Sequence, residues 1–288
     1  MTASVPTIVA TCGGLNPGRW TEAVYGPLLL HAISLAEVRG RAPRVAHLYT
    51  AGGDPRFAEG VELEAARAAG VSASHLRVFP HPNVPSVRSY LLEQDVIWVS
   101  GGSLANLLAL WRLHGIDSAL REAWQAGVVL AGGSAGAICW HTGGTTSSFR
   151  PDIAPLADGL GFVPFSLGVH WDSDAARRPV HSAAVASGLL GAGFALEEGV
   201  GVVYRGSAPV EPAYFVTERA GQRAYRIRAA DGTETADGGV ETADGAETAA
   251  AAGAGAAAGA GATAGAESAD RRVAAGIETE TVEPRLIA

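Results

Sequence analysis

The chain of 288 residues contains no lysine, one methionine and two cysteines. Nowhere does an apolar run approach the roughly 20 residues that a membrane-spanning helix needs, so no membrane segment is expected. Met1–Pro6 lacks both the charged start and the long apolar stretch of a secretory signal. The isolated thiols Cys12 and Cys139 exclude a disulfide framework and fit a reducing compartment, which makes the cytoplasm the expected location. No basic cluster with interleaved aromatics occurs, and this argues against a nucleic-acid groove.

What charge there is falls unevenly. Residues 1–228 carry 18 arginines and 18 carboxylates, whereas residues 229–288 carry 3 arginines and 11 carboxylates. The net charge of −8 therefore belongs to the C-terminal part, and the body is formally neutral. From Ala229 to about Asp270 the composition is Ala, Gly, Thr, Glu and Asp, with Glu-Thr-Ala-Asp-Gly occurring at 234–238 and again at 241–245. Val240 is the one bulky apolar residue there, too little to offset the entropy of ordering the segment. The expected organisation is an α/β domain over 1–228, a disordered low-complexity insert over 229–272, and a returning edge strand within 273–288.

Through the body, short apolar runs alternate with helical spacing. Strands are expected at Thr7–Thr11, Arg44–Tyr49, His75–Phe79, Asp95–Ser100 and before Ser134. Helices are expected at Leu28–Val38, Phe57–Ala69, Ser86–Leu92, from Leu104 through Trp111, and at Ile116–Gln125. Near-continuous apolar strands alternating with helices indicate a mostly parallel sheet covered on both faces, with sites at the strands' carboxyl ends. Further on, Thr142–Asp152 reads as a loop, Leu160–Val169 as a strand and Ser173–Leu190 as helical. Gly193–Glu197 with Val200–Tyr204 reads as a strand pair, and Glu211–Val216 with Arg223–Ile227 as a hairpin.

The chain is organised around Val128–Ala137, where an apolar run ends in Gly132-Gly133-Ser134-Ala135-Gly136. Gly-x-Ser-x-Gly after a strand and before a helix describes a sharp turn with a serine at its apex, and Gly132 and Gly136 supply the missing bulk. The hydroxyl is then exposed beside a helix N-terminus whose free N–H groups can stabilise an oxyanion. Serine needs a base, and the base an orienting acid. His170, ending a strand and followed by Trp171-Asp172-Ser173-Asp174, is the outstanding base. His141, about two helical turns past Ser134, should lie far down the helix from the hydroxyl, and His31, His47, His75, His81, His114 and His181 have no marked neighbours and read as surface or capped residues. For the acid, Glu197, Glu198 and Asp172 remain open. No metal-ligand spacing appears, so neither metal nor organic cofactor is expected.

Four stretches taken together resemble the peptidase E (aspartyl dipeptidase) family of serine peptidases, relatives of cyanophycinase on a class I glutamine-amidotransferase-like fold. They are Val99–Leu108, Gly133–Ala137, Gly168–Ser173 and Leu196–Gly199, and the resemblance covers roughly residues 5–228. It implies Ser134 as nucleophile, His170 as base and Glu198 as the third member, since Glu198 directly precedes Gly199. Backbone N–H groups of Gly102, after Gly101, and of Ala135 would form the oxyanion hole. The order Ser, His, Glu also differs from that of α/β-hydrolases. Relatives carry an aspartate where Ser147 stands, and an aspartate-preferring member needs a cation, for which Arg177 and Arg178 are the nearest candidates. The implied activity is hydrolysis of short peptides, dipeptides above all, by a monomer or homodimer. An esterase or amidase on the same fold and a non-catalytic binding relative are the alternatives.

Overall fold

The computed structural model describes residues 3–149, 151–230, 271–274 and 276–287. The 229–272 reading falls almost wholly outside them. Two large sheets carry the fold. The first has eight strands, in the spatial order Arg285–Leu286, Tyr214–Thr217, Val200–Arg205, Thr7–Thr11, Val129–Gly133, Val96–Val99, Arg44–Leu48 and Ser72–Leu76. Its last five strands run parallel, and Val200–Arg205 is antiparallel to both its neighbours.

Both faces of this sheet are covered. Alternation along each strand sends Val9, Val45, Val96, Trp98 and Val129 to one face, against Leu29 and Ala32 of helix Pro27–Ser34 and Ala65 and Ala66 of helix Arg56–Ala68. The opposite set, Ile8, Ala46, Leu48, Ile97, Val99 and Leu130, packs against helices Leu104–His114 and Ile116–Gln125 and the turn Ala135–Ile138. Period-two strands between period-3.6 helices require this layering, because each apolar stripe must find another to exclude water. Trp111, Trp124 and Trp140 fill this second layer and are fully buried. Helix Leu104–His114 starts on Ser103, whose hydroxyl accepts the Asn106 N–H, and ends on Gly115 in a left-handed conformation.

The seven-stranded second sheet departs from the sequence reading. Its order is Arg271–Ala274, Ile277–Val282, Ala224–Ala229, Gly193–Leu196, Ser166–Gly168, Gly143–Thr146 and Ala154–Leu156. Gly193–Leu196 and Val200–Arg205 are thus not a pair: the turn through Gly199, at φ +79°, passes the chain from the second sheet to the first. Likewise Tyr214–Thr217 and Ala224–Ala229 do not form a hairpin but belong to different sheets. The Gly/Thr-rich segment expected as a loop contains the strand Gly143–Thr146. Glycine is required there because a Cβ on Gly143 or Gly144 would overlap the carbonyl of Leu156 or Leu167. Past the undescribed stretch, Ile277–Val282 pairs along Ala224–Ala229, and Arg285–Leu286 joins the edge of the first sheet. No helix among the described residues is long and apolar enough to cross a membrane.

Candidate active site

The carboxyl end of strand Val129–Gly133 runs straight into helix Ala135–Ile138, and Ser134 between them sits at φ +56°, ψ −117°. Such a backbone costs of order 1–3 kcal/mol for a residue with a Cβ and persists only where the surroundings fix it. Here the Ser134 N–H donates to Thr11 O, and its carbonyl accepts from Ala137 and Ile138. Close packing does the rest. A Cβ on Gly136 would overlap the Val99 carbonyl, and one on Gly132 would lie 2.5 Å from Gly136 O.

The hydroxyl this turn presents meets an imidazole. Ser134 Oγ lies 2.9 Å from His170 Nε2, and His170 Nδ1 lies 2.5 Å from Glu198 Oε1. His170 follows strand Ser166–Gly168 and is itself left-handed, at φ +58°. Its N–H donates to Cys12 Sγ at 3.2 Å, and Cys12 Sγ is 3.5 Å from both His170 Nδ1 and Glu198 Oε2. Burial pushes the Cys12 thiol far up, so it stays protonated beneath the pair. Glu198 accepts from Ser173 Oγ at 2.8 Å, and its backbone N–H donates to Asp172. The His170 hydrogen bond holds the Glu198 carboxyl down at about 2, so it is ionised at any working pH.

Three elements from both sheets thus bring Ser134, His170 and Glu198 together. The rival acids have other tasks. Glu197 accepts from Tyr225 Oη and the Arg223 N–H, and Asp172 braces the Glu198 backbone. Gly101 packs against the serine: a Cβ there would come within 3.1 Å of Ser134 Cβ. Gly102, at φ +137°, allows the chain to pass the Ala51 carbonyl, and Ala135 opens the helix with an N–H that has no intrahelical acceptor.

Ser147, Arg177 and Arg178 are not brought to the serine's cavity. Ser147 follows strand Gly143–Thr146 outside the cavity wall. Arg177 is buried, donating to Thr145 O and Asp174, while Arg178 lies over the Trp171 and Tyr225 rings and donates to Trp171 O.

Three of the six histidines read as surface or capped residues lie instead in the interior, together with His141. His47, His75, His141 and His181 are buried. Burial lowers His47 and His181 to about 4 and His141 to about 3, which leaves all three neutral. The signal for His47 was legible, since it sits inside the apolar strand run Val45-Ala46-His47-Leu48. Glu62 was missed too, although it interrupts the apolar stripe Ala58, Val61, Ala65, Ala66 of its helix. His75 Nε2 lies 2.7 Å from Glu62 Oε2, Ser100 Oγ donates to Glu62 Oε1 at 2.8 Å, and Tyr25 Oη meets His47 Nε2 at 2.5 Å.

Among the described residues, two groups of side chains could offer three ligand atoms to one metal ion: Cys12, His170 and Glu198, and His47, Glu62 and His75. The first is committed to the serine. In the second, the 2.7 Å Glu62–His75 contact is closer than two ligands at about 2.0–2.2 Å from one tetrahedral ion would sit. Both are read as hydrogen-bonded clusters.

A cavity of about 500 Å³ opens from Ser134, His170 and Glu198 toward Trp98, Ser100 and Glu62.

An α/β chain with a serine on a strand-to-helix elbow, facing a histidine across a cavity, has the architecture of a serine peptidase. The chain belongs to peptidase family S51, whose model matches residues 29–209. The uncharacterized peptidase YgaJ of Bacillus subtilis (strain 168) is 36% identical over 204 residues, covering 71% of this chain and 86% of YgaJ. Among solved structures, a peptidase from an acI-B1 Actinobacterium aligns at a TM-score of 0.55 with 19% identity, over 77% of this chain and 90% of that one. A candidate peptidase E protein from Listeria monocytogenes EGD-e aligns at 0.50 with 17% identity, over 75% of this chain and 99% of that one. At these identities the two structures bear on the fold alone, which is the α/β fold expected from the sequence.

Proposed function

We propose that this serine peptidase hydrolyses short peptides, dipeptides among them, through an acyl-enzyme formed on Ser134. His170 Nε2, 2.9 Å from Ser134 Oγ, takes the hydroxyl proton as the oxygen attacks the scissile carbonyl, then gives it to the leaving amine. Glu198, held ionised, orients the imidazole and balances the imidazolium charge. The backbone N–H groups of Gly102 and Ala135 receive the oxyanion. Water then repeats the sequence on the acyl-enzyme and releases the product acid.

The observation that carries this reading is the continuous Ser134–His170–Glu198 hydrogen-bonded chain opening onto the cavity. The modest size of that cavity supports small substrates over folded proteins. A preference for N-terminal aspartate gains no support from Arg177 or Arg178, which are engaged elsewhere.

Ser134→Ala is expected to lower kcat on a dipeptide panel by about 10³-fold or more and to abolish labelling by a fluorophosphonate, with the circular-dichroism spectrum unchanged. Labelling of wild type without peptide cleavage would favour the esterase alternative. Neither labelling nor cleavage would favour a binding protein.

A further inference from the structure

The charges around the cavity beside Ser134 have one sign. Among the described residues its wall includes the carboxylates of Glu22, Glu62 and Glu198, with His170 as the only basic side chain. Glu198 is committed to His170, and Glu22 is exposed to solvent. Glu62 differs from both: it is 2% exposed, on the buried side of helix Arg56–Ala68. Ser100 and His75 fix its two oxygens in place. A carboxylate offers about four acceptor positions, and these neighbours occupy two. Burial pushes the Glu62 carboxyl up and the His75 hydrogen bond pulls it down, with the balance below the ordinary value, so the group is anionic at neutral pH.

Beyond Ser100, Ser134 and Tyr49, the remaining side chains of the wall are apolar. Leu15, Pro55, Phe57, Val61 and Trp98 line it. A cavity of about 500 Å³ is far larger than an ammonium group needs and matches a long side chain. An acidic side chain entering it would lose its hydration beside carboxylates, with no arginine among the described wall residues to meet it, and unpaired charge is costly to bury. A long side chain with an apolar stem and a cationic head satisfies both parts of the wall.

We propose that this cavity selects the positively charged side chain of a peptide substrate, arginine or lysine, with Glu62 as the carboxylate that recognises it. The proposal rests on the peptidase reading above and gives that site a substrate class opposite in charge to an aspartyl peptide. The stem of the side chain lies against Val61, Phe57 and Trp98, and Glu22 adds attraction at the mouth.

The test separates binding from turnover. Ser134→Ala protein is titrated calorimetrically with Arg-Leu, Leu-Arg, Leu-Leu, Asp-Leu and Leu-Asp at low and high salt, while wild type is assayed for cleavage of the same five. We expect one of the two arginine peptides to bind about tenfold or more tighter than Leu-Leu, corresponding to about 1.4 kcal/mol. Both aspartate peptides should bind more weakly than Leu-Leu, and the arginine preference should shrink with salt. Adding Glu62→Gln, with its melting curve recorded, should bring the arginine-to-leucine ratio to within about threefold. Glu22→Gln, at an exposed position, should lower that ratio by a smaller factor and decides the matter if the Glu62 variant does not fold. The proposal is overturned if neither arginine peptide is preferred, if an aspartate peptide binds best, or if Glu62→Gln leaves the preference intact. Equal weakening of all five by Glu62→Gln would assign Glu62 to the common α-amine and also overturn it. Cation-selective binding without cleavage would sink the peptidase reading while sparing this one. Cleavage without charge preference would do the reverse.

Discussion

Ser134 and His170, 36 positions apart in sequence, both hold left-handed backbones at φ near +57°. Such conformations are uncommon for residues with a Cβ, and they cluster where the surrounding structure over-determines them. In each case the fixing contact comes from the first strand or its end: Thr11 O accepts from Ser134, and Cys12 Sγ accepts from His170. Glu198 is tied by Ser173, Asp172 and Gln222. Its pKa has a definite consequence. The carboxyl lies near 2 in the folded protein against an ordinary value of 4.5, so it binds fewer protons folded than unfolded across that window. Its contribution to stability is therefore complete above about pH 4.5 and lost as pH falls toward 2. Glu198 will accordingly not set the acid limb of kcat/KM: the profile should show no titration of this carboxyl between pH 3.5 and 5. Glu198→Gln should lower kcat by about 10³–10⁴-fold with a much smaller effect on KM, measured by initial rates across that range.

At the scale of elements, the strand-to-helix elbow depends on absent side chains. Gly136 lies so close to Val99 that a methyl group would displace backbone, which cannot yield as the end of a flexible side chain can. Gly136→Ala should cost about 1–3 kcal/mol, read from the denaturant midpoint. Gly60 provides the contrast, since it lies exposed in helix Arg56–Ala68 with nothing within 4 Å of an added Cβ. Gly60→Ala should stabilise by about 0.5–1 kcal/mol through helix propensity alone. Loss from both substitutions would show that the elbow has no special tightness. The elbow was legible because its glycines and serine are contiguous. The strand Gly143–Thr146 was not, because its glycines answer to the Leu156 and Leu167 carbonyls, which belong to other segments of the chain.

At the scale of the whole molecule, the buried histidines set the response to acid. His47, His141 and His181 are neutral when folded, at about 4, 3 and 4, against an ordinary 6.5 when unfolded. Below pH 6.5 the unfolded chain binds more protons than the native one, so stability falls as pH falls. By pH 4.5 the loss is about 2 kcal/mol for each histidine. The melting temperature should thus drop steadily between pH 6.5 and 4.5, with about 2.5 protons taken up on unfolding near the lower end. A flat melting curve over that interval would mean that the three imidazoles are hydrated or already charged. His141 shows why its location had to be seen: its Nδ1 donates to Ala137 O and its Nε2 accepts from Tyr204 Oη, and Tyr204 lies on a strand 63 residues away.

By itself the sequence determined the alternating α/β order, the elbow at Ser134, and the two segments that supply His170 and Glu198, because each is written in contiguous residues through period, glycine placement and turn chemistry. Tertiary structure alone decided that Val200–Arg205 leaves Gly193–Leu196 for the other sheet, that Glu198 and not Glu197 faces the imidazole, and that Arg177 and Arg178 turn away from the cavity. It also placed Glu62 in the cavity wall beside Ser100, 38 residues distant. The division has a physical cause: backbone periodicity and turn preference act between near neighbours, whereas sheet order and the partner of each charge depend on which distant surfaces exclude water together.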